Sequence, residues 1–356
     1  MKIFGIFRGF PGLGRVVAGA GILSTLKSHG HEVKAYSYLQ GNSVLEEYGL
    51  NKIISEQPDK RHIMVIGLNP ISTESGILID KILRENPDLV IVDGEPLLVS
   101  TLTMVFPREK ILSLLNPSDM KNESLPVSTM KFYHNHYLSA GNAFVHGVLK
   151  GNYSQIGEEY SCQIHSIQTI LRPNILKLSG LNRGSYLVGI LGGGSKMVSK
   201  NFLNSTVSMA RSIISLSRYL KREKFIVYCN DMEVCDVIGN DLPDNLEIIG
   251  EYTPPEIIYS KAKAVLCRAG RNTVSELLFL RIPAILFSTK GDFRSVEQDK
   301  NVDNVCSLSN GFMKKCHINN SAEEIANQLY SVIDSQNKDC NFTAGNEEIL
   351  KYIENL

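Results

Sequence analysis

The segment "CRAGRNTVSELLFLRIPAILF", residues 267–287, contains the pattern on which the fold prediction rests. A turn of small and basic residues leads into a short helix, and the helix leads into an apolar strand. Glu276 lies about one turn inside that helix, in an otherwise apolar stretch. An acid near a helix N-terminus is favoured by the helix dipole. The same carboxylate could instead accept hydrogen bonds from two neighbouring hydroxyl groups of a ligand, and the segment alone leaves both interpretations open.

The alternation of apolar runs and amphipathic helical stretches continues along the whole chain. This order is typical of α/β domains built on parallel sheets. Proline and glycine interrupt the periodicity within residues 171–184. We therefore predict two Rossmann-like parallel-sheet domains, residues 1–170 and 185–340, joined by a linker at 171–184. A C-terminal helix within residues 341–356 is expected to pack back on the first domain.

Composition restricts the class of protein. The chain has 356 residues, which fits two domains of about 150 residues each. Its formal net charge is zero, so we expect no nucleic-acid partner. Seven dispersed cysteines without a C-x-x-C pair predict reduced thiols and a cytoplasmic location. No apolar stretch approaches the roughly 18 residues of a transmembrane helix and no signal peptide is evident, although peripheral membrane contact remains compatible with the sequence.

Three polar motifs follow strands in the second half. In "GILGGGSK", residues 189–196, glycines after a strand would let backbone N–H groups approach an anion, with Lys196 beside them; a simple tight turn is the alternative. In the opening segment, Asn272 or Thr273 is expected to cap the helix. In "TKGDFRSVEQDKNVDNV", residues 289–305, a polar loop presents polar side chains just before a helix, which suits a polyol ligand, or is simply solvated. These side chains belong to Asp292, Glu297 and Gln298.

The order and spacing of "GGGS", "AGRNTVSELLFLRIPAILF" and "EQDKN" resemble those of the GT-B glycosyltransferases. The resemblance is strongest to the branch with the MurG-type N-acetylglucosaminyltransferase and the UDP-glycosyltransferases, and it covers most of residues 185–310. It implies two domains facing across a cleft, with a nucleotide sugar bound to the second domain and its ribose held by Glu276. By the same resemblance, the diphosphate would face Gly193, Gly194 and Ser195. The donor sugar would contact Glu297 and Gln298, and the nucleobase would contact Tyr252. The other donor-binding candidates are Arg268, Gly270, Asn272 and Thr273.

The first half resembles the same family at "GFPGLGRVVAGAGILSTLKSHGHEV", where Gly12 and Gly14 are expected on the acceptor side. Many family members have a histidine after the glycine pair, but this chain has Arg15. An arginine is always protonated and cannot accept a proton. Arg15 could still take part in catalysis by holding a phosphate or an acceptor carboxylate, or it is an exposed first-turn residue.

The proton acceptor must then lie elsewhere or be unnecessary. We predict Asp93, at the end of the strand "LVIVD", as the base, with a turn-forming role as the alternative. Glu95 would lie on the same face if the chain stayed extended, and is expected to contact the acceptor. His134 and His136 in "YHNHY" could form a metal pair on a strand, or serve as base or acceptor contact. No third metal ligand and no Asp-x-Asp motif is evident, so we expect no metal.

The resemblance implies a glycosyltransferase that moves a hexose-type sugar from a nucleoside diphosphate donor, with UDP favoured. Inversion, independence of metal, and no cofactor besides the nucleotide-sugar co-substrate are expected. The acceptor is a small molecule, a lipid-linked compound or a natural product. Two alternatives stay open: a nucleotide-sugar hydrolase or 2-epimerase of the same fold, and a catalytically silent partner protein, which Arg15 in the histidine position would explain.

Overall fold

The computed structural model describes residues 1–10, 12–54, 73–178, 184–192, 200–239, 242–288, 295–335 and 339–356. Two compact units divide the chain. The first unit combines Met1–Pro173 with Ala344–Leu356, and the second contains Asn174–Thr343.

The first unit is built on a parallel sheet of seven strands in the order β3-β2-β1-β4-β5-β6-β7. The strands are β1 (Lys2–Phe7), β2 (Glu32–Tyr36), β3 (Asn51–Lys52), β4 (Leu89–Asp93), β5 (Ile111–Leu115), β6 (Asn142–Gly147) and β7 (Gln163–Gln168). The helices are α1 (Gly14–Ser28), α2 (Gln40–Glu47), α3 (Thr73–Glu85), α4 (Pro96–Leu102), α5 (Pro117–Met120), α6 (Val127–Tyr137), α7 (Ser154–Glu159) and α8 (Pro173–Leu176), which lies at the division. A 3-10 turn spans Arg108–Lys110.

The second unit has a parallel sheet of six strands in the order β10-β9-β8-β11-β12-β13. The strands are β8 (Tyr186–Ile190), β9 (Lys224–Tyr228), β10 (Leu246–Ile249), β11 (Ala262–Arg268), β12 (Ala284–Ser288) and β13 (Met313–His317). The helices are α9 (Lys200–Tyr219), α10 (Met232–Ile238), α11 (Pro255–Lys261), α12 (Arg271–Phe279), α13 (Ser295–Leu308) and α14 (Ala322–Asp334). A last helix, α15 (Asn346–Glu354), belongs to the first unit. The prediction of two parallel-sheet α/β domains is confirmed.

Both faces of the first sheet are covered, because successive side chains of a strand point to opposite faces. Ile3 and Phe7 of β1 belong to the core on the side of α1, whereas Phe4 and Ile6 belong to the core on the side of α3 and α4. The small residues of α1 allow close contact, since a Cβ at Gly19 would lie 2.3 Å from the Phe7 ring.

The C-terminal helix α15 completes the core of the first unit. Ile349 and Ile353 are fully buried there with residues of α1 and β1. Asn346 fixes the start of the helix, because its side chain accepts a hydrogen bond from Leu171 N at 2.8 Å and donates one to Leu171 O at 2.9 Å. Within the described residues, no helix combines the length and the apolar character that a membrane crossing requires.

Each sheet has one point at which the direction of winding reverses. In the first sheet this switch point lies between β1 and β4, and in the second between β8 and β11. Open α/β sheets bind ligands outside the carboxyl ends of the strands at such points, because the loops diverge there and leave a crevice. The residues at these two positions are therefore the candidates for ligand contacts.

Candidate active site

The switch point of the second sheet brings two of the predicted motifs to one edge. Ile190, the last residue of β8, is paired with Cys267 of β11. The chain therefore leaves β8, as far as Gly192, beside the turn that contains Gly270. Gly192 has φ +78°, a conformation that favours glycine. Gly193, Gly194, Ser195 and Lys196 lie outside the described residues, so their predicted contact with a diphosphate remains a prediction.

Helix α12 begins differently from the prediction. Its N-cap is Gly270, no side chain caps it, and Asn272 and Thr273 lie inside its first turn. Among the described residues, a Cβ added to Gly270 would meet nothing nearer than Thr273 Oγ1 at 4.0 Å, and its φ of −63° is open to any residue. Neither crowding nor backbone strain therefore requires glycine here. The open space lies at a helix N-terminus, where backbone N–H groups and the helix dipole favour an anion.

Glu276 is almost completely buried, with 1% of its surface exposed. Its Oε2 accepts a hydrogen bond from the Tyr259 hydroxyl of α11 at 2.7 Å. This hydrogen bond orients the carboxylate and gives it a partner. A buried acid needs such partners because burial of an unpartnered charge is costly. Ribose binding by Glu276 remains a prediction.

Arg268, the last residue of β11, is directed at the start of α9. Its guanidinium stacks on the Phe202 ring, 4.1 Å from the ring centroid, and donates to Ser205 Oγ. Asn301 of α13 donates to Ala269 O at 3.0 Å and thereby holds the turn between β11 and α12. The predicted role of Arg268 in donor binding is not tested by these contacts.

The third motif lies partly in a helix. Glu297 and Gln298, expected in a loop before a helix, are in the first turn of α13 and are partly buried. Asp292 lies outside the described residues. Tyr252 follows β10 and exposes 61% of its surface, so its ring is accessible, and its predicted contact with the base remains a prediction.

The switch point of the first sheet contains a buried ion-pair cluster centred on Arg15. Arg15 is 6% exposed, which corrects the interpretation as an exposed first-turn residue. Its Nη2 donates to both carboxylate oxygens of Asp119, at 2.7 and 2.8 Å, and its Nη1 donates to Asp93. Burial opposes the charge, but Asp119 and Asp93 outweigh burial and raise the pKa of Arg15 above its ordinary value.

Asp93 and Glu95 do not lie on one extended face, because Gly94 between them has φ +91°. Asp93 turns to Arg15, whereas Glu95 accepts a hydrogen bond from the Tyr38 hydroxyl at 2.5 Å. Both acids are buried. Burial is the main cause that raises the pKa of Glu95, and the hydrogen bond from Tyr38 opposes it. Gly12, with φ +84°, and Gly14, the first residue of α1, are both exposed near the same edge.

Three residues at this switch point were not predicted. Asp119 follows β5 in "LLNPSD" and also accepts from Asn116 N at 2.8 Å; an acid after a strand and an Asn-Pro helix start is the signal that could have indicated it. Tyr38 follows β2, and Arg8 follows β1 directly. Each stands at the carboxyl end of a strand beside the switch point, so the strand order would have been needed to connect them.

The expected strand for His134 and His136 is wrong, because both lie in the last turn of α6. Residues two apart on a helix point in different directions. His134 Nε2 contacts Met120 O at 3.0 Å, and His136 Nδ1 contacts Ser100 Oγ at 2.8 Å. Burial lowers the pKa of His136. The two rings therefore do not form a pair, and the described residues contain no group of three His, Cys, Asp or Glu side chains that could hold a metal.

Comparison with known proteins gives two findings. Residues 192–353 match the family described as Glycosyltransferase family 28 C-terminal domain. The whole chain is similar in structure to the glycotransferase of kitacinnamycin, with a TM-score of 0.62 at 14% identity and coverage of 99% and 98% of the two chains. For MurG of Acinetobacter baumannii the TM-score is 0.56 at 14% identity, with coverage of 100% of this chain and 99% of that one. For the glycosyltransferase VinC, solved with dTDP, the TM-score is 0.55 at 11% identity, with coverage of 99% and 95%. No curated protein sequence matches significantly.

Two doubly wound parallel sheets in one chain, shared with these structures over almost their full lengths, define the GT-B fold. Structural likeness at such low identity shows the fold alone. Residues 192–353 match a glycosyltransferase family 28 C-terminal domain, and together with the GT-B fold this match supports a glycosyltransferase.

Proposed function

We propose that the protein transfers a hexose from a nucleoside diphosphate donor, UDP in the first instance, to an acceptor hydroxyl group, with inversion and without a metal. The observation that carries the donor part is the switch point of the second sheet. There β8 and β11 end side by side at Ile190 and Cys267, and the turn after β11 opens α12 with Gly270, which is uncrowded among the described residues.

The start of α12 supplies charge stabilisation for a departing diphosphate. Its first backbone N–H groups are not used within the helix, and they lie in the first turn next to Gly270. Preorganised donors of this kind stabilise the charge that develops when the bond from the sugar to the diphosphate breaks. Transfer without a metal is therefore consistent with the residues at this edge.

Glu276 is the proposed ribose contact. The hydrogen bond from Tyr259 occupies Oε2, and charge-assisted hydrogen bonds from ribose hydroxyls would contribute about 1.5–3 kcal/mol each. Binding of this kind requires the buried carboxylate to become reachable from the turn before α12. Tyr252, exposed after β10, is the proposed neighbour of the base.

A thermal-shift titration tests the donor proposal. UDP at about 100 times its Kd should add about 2.7 kcal/mol of stability. Because VinC was solved with dTDP, dTDP and GDP are titrated in parallel to identify the base. We expect Glu276→Ala to remove most of the UDP shift, and Glu276→Gln, which can still accept from Tyr259, to reduce it in a protein with wild-type far-UV circular dichroism.

The matched control is Glu247→Ala, which alters an exposed acid on β10 and should leave the UDP shift unchanged. An undiminished shift in folded Glu276→Gln would remove the ribose assignment. The hydrolase and epimerase alternatives are tested in the same samples, because UDP-glucose without an acceptor should then yield free glucose or the 2-epimer.

A further inference from the structure

Arg15 cannot be the cation that faces the acceptor, because its two terminal nitrogens are already engaged. Nη2 binds both oxygens of Asp119 and Nη1 binds Asp93. The same contacts argue against Asp93 as the base, since a carboxylate paired with a buried guanidinium is stabilised in its charged form and accepts a proton poorly. The acceptor chemistry must therefore be sought in the other charged groups at this switch point.

Arg8 is the second arginine at this edge. It follows β1, and its backbone N–H donates to Asp93 O at 2.9 Å, which fixes it beside the end of β4. Its side chain is partly buried, and its Nε is fully buried without a hydrogen-bond partner. Within the described residues, the guanidinium of Arg8 makes no ion pair and no hydrogen bond. A buried donor without a partner is costly, so a native structure that keeps one requires an explanation.

Glu95 is the remaining acid at the switch point of the first sheet. It is 3% exposed, and the hydrogen bond from Tyr38 is the only hydrogen bond or ion pair that its carboxylate makes within the described part of the chain. Arg8 influences it through charge alone. A Cβ at Gly94 would lie 2.6 Å from the Arg8 Cβ, so the turn that presents Glu95 is in contact with Arg8.

The backbone that leads away from Tyr38 supports a functional role. Leu39, the next residue, has φ +50° and ψ −129°, which is strained for a residue other than glycine. Gly41 could not be replaced there without crowding, since a Cβ would lie 2.0 Å from Ser37 Oγ. Strain of this kind is kept where the surrounding structure imposes it, and it concentrates at functional sites.

We propose that Arg8 and Glu95 are the acceptor-facing pair. Arg8 binds a carboxylate or phosphate group of the acceptor, and Glu95 takes the proton from the acceptor hydroxyl that is glycosylated. The acceptor is thus an anionic hydroxyl compound. Tyr38 is a positioning residue that orients Glu95. This assignment rests on the proposed function.

The chemical step is balanced as follows. The acceptor oxygen forms a bond to the anomeric carbon as its proton moves to a Glu95 carboxylate oxygen. The bond from the anomeric carbon to the diphosphate breaks, and its electron pair leaves on the nucleoside diphosphate. The protonated Glu95 then returns its proton to solvent. A buried carboxyl with a raised pKa is a suitable proton acceptor because proton transfer is most efficient when the pKa lies nearer the working pH.

The first experiment measures anion binding with the donor site filled. The protein is saturated with UDP, and benzoate and inorganic phosphate are titrated separately against chloride at equal ionic strength, with Tm as the readout. We expect one of the two anions to raise Tm, and Arg8→Ala to weaken that binding about tenfold or more while the UDP shift stays unchanged. Benzoate would indicate a carboxylate acceptor and phosphate a phosphorylated one.

The control for charge removal is Arg84→Ala, whose exposed side chain pairs only with Asp80 of the same helix among the described residues. If neither anion raises Tm, or if Arg8→Ala binds it like the wild type, the acceptor assignment is overturned. A wild-type protein that shows no shift with any nucleotide refutes the proposed donor site instead, so the two failures are distinguishable.

The second experiment measures UDP release from UDP-glucose with matched acceptor probes. The anionic probes are salicylate and glycerol phosphate, and the neutral ones are salicylamide and glycerol. We expect transfer to an anionic probe and loss of its advantage over the neutral counterpart in Arg8→Ala. Glu95→Gln should slow transfer about 100-fold or more without weakening UDP binding, and the pH step of the wild-type rate should disappear.

The variant Tyr38→Phe distinguishes a role of Tyr38 in positioning Glu95 from a role in stability alone. Because the Tyr38 hydrogen bond opposes the rise in the pKa of Glu95, its loss should move the pH step of the rate to higher pH. An unchanged pH profile in Tyr38→Phe, wild-type rates in Glu95→Gln, or no UDP release with either anionic probe would each overturn the proposal.

Discussion

Arg15, in the first turn of α1, binds both carboxylate oxygens of Asp119, which lies 104 residues further along the chain. With Asp93 on its other terminal nitrogen, the guanidinium joins α1 to the end of β4 and to α5. The cluster thus connects elements at the carboxyl edge of the first sheet. The family resemblance leads one to expect a proton-accepting histidine at this position.

We expect Arg15→Ala to destabilise the protein strongly. The substitution leaves Asp93 and Asp119 buried without a counter-charge, and breaking a buried pair in this way costs about 3–5 kcal/mol. Urea unfolding followed by circular dichroism measures the change. Arg84→Ala, which removes an exposed i,i+4 pair, should cost about 0.3–0.5 kcal/mol. Equal losses in the two variants would show that the Arg15 cluster contributes no more than a surface pair.

Gly270→Ala should separate ligand binding from folding. Since no atom of the residues that the structure describes lies nearer than 4.0 Å to the added Cβ and φ is −63°, we expect the free energy of unfolding to change by less than about 0.5 kcal/mol. UDP affinity should fall, because the methyl group would occupy the space that the proposed diphosphate approaches. Isothermal titration calorimetry with UDP measures the effect.

The comparison variant is Gly184→Ala, where the added Cβ would lie 1.9 Å from Lys261 O. It should lose stability, with UDP affinity preserved in the fraction that remains folded. Unaltered UDP affinity in Gly270→Ala would place the diphosphate elsewhere.

Asn346→Ala should release α15. The amide of Asn346 bonds both the N–H and the carbonyl of Leu171 in a buried position. Loss of partners for buried backbone groups costs about 1–3 kcal/mol each. Hydrogen exchange of residues 346–354 should accelerate and the unfolding midpoint in urea should fall. Asn355→Ala, which removes an exposed contact with Lys351 O, should change neither measurement.

Docking of α15 should also depend on pH through His165. Its ring lies 4.7 Å from the Phe144 ring and 4.6 Å from the Tyr352 ring of α15, and burial lowers its pKa below the ordinary 6.5. Below pH 6.5 the unfolded chain therefore binds more protons than the folded one, so stability should fall as the pH drops through 6.5 towards the lowered folded pKa. His165→Phe keeps an aromatic ring there and should flatten this part of the stability profile. A profile that is unchanged in the variant would exclude His165 as its cause.

The fold could be predicted from the sequence because its signals are local. Apolar runs between turn residues mark the strands. Gly30, with φ +87°, follows the end of α1, and the Ser-x-x-Glu pattern of Ser321 and Glu324 forms a capping box at the start of α14. The predicted N-cap of α12, Asn272 or Thr273, was wrong by two or three residues. Asn272 and Thr273 are good capping types, but the turn after β11 already places Gly270 as the N-cap.

The site was harder to predict because its partners are distant in sequence. Arg15 and Asp93 were both selected, yet their ion pair spans 78 residues and depends on the β1–β4 pairing. Glu95 was assigned to the face of Asp93, and only the φ of Gly94 shows that the two acids diverge. No periodicity in a single chain reports such a reversal.

Leu171 and Asn346 are in hydrogen-bond contact although the entire second sheet lies between them in the chain. The second unit is therefore an insertion between two neighbouring points of the first. A chain in which a few flexible residues bridge Pro173 directly to Ala344 should retain the seven-stranded sheet as an independent protein, on which acceptor recognition could be studied apart from the nucleotide. During synthesis the second unit is complete before the first. It can therefore fold early, whereas the first unit stays incomplete until α15 has been made.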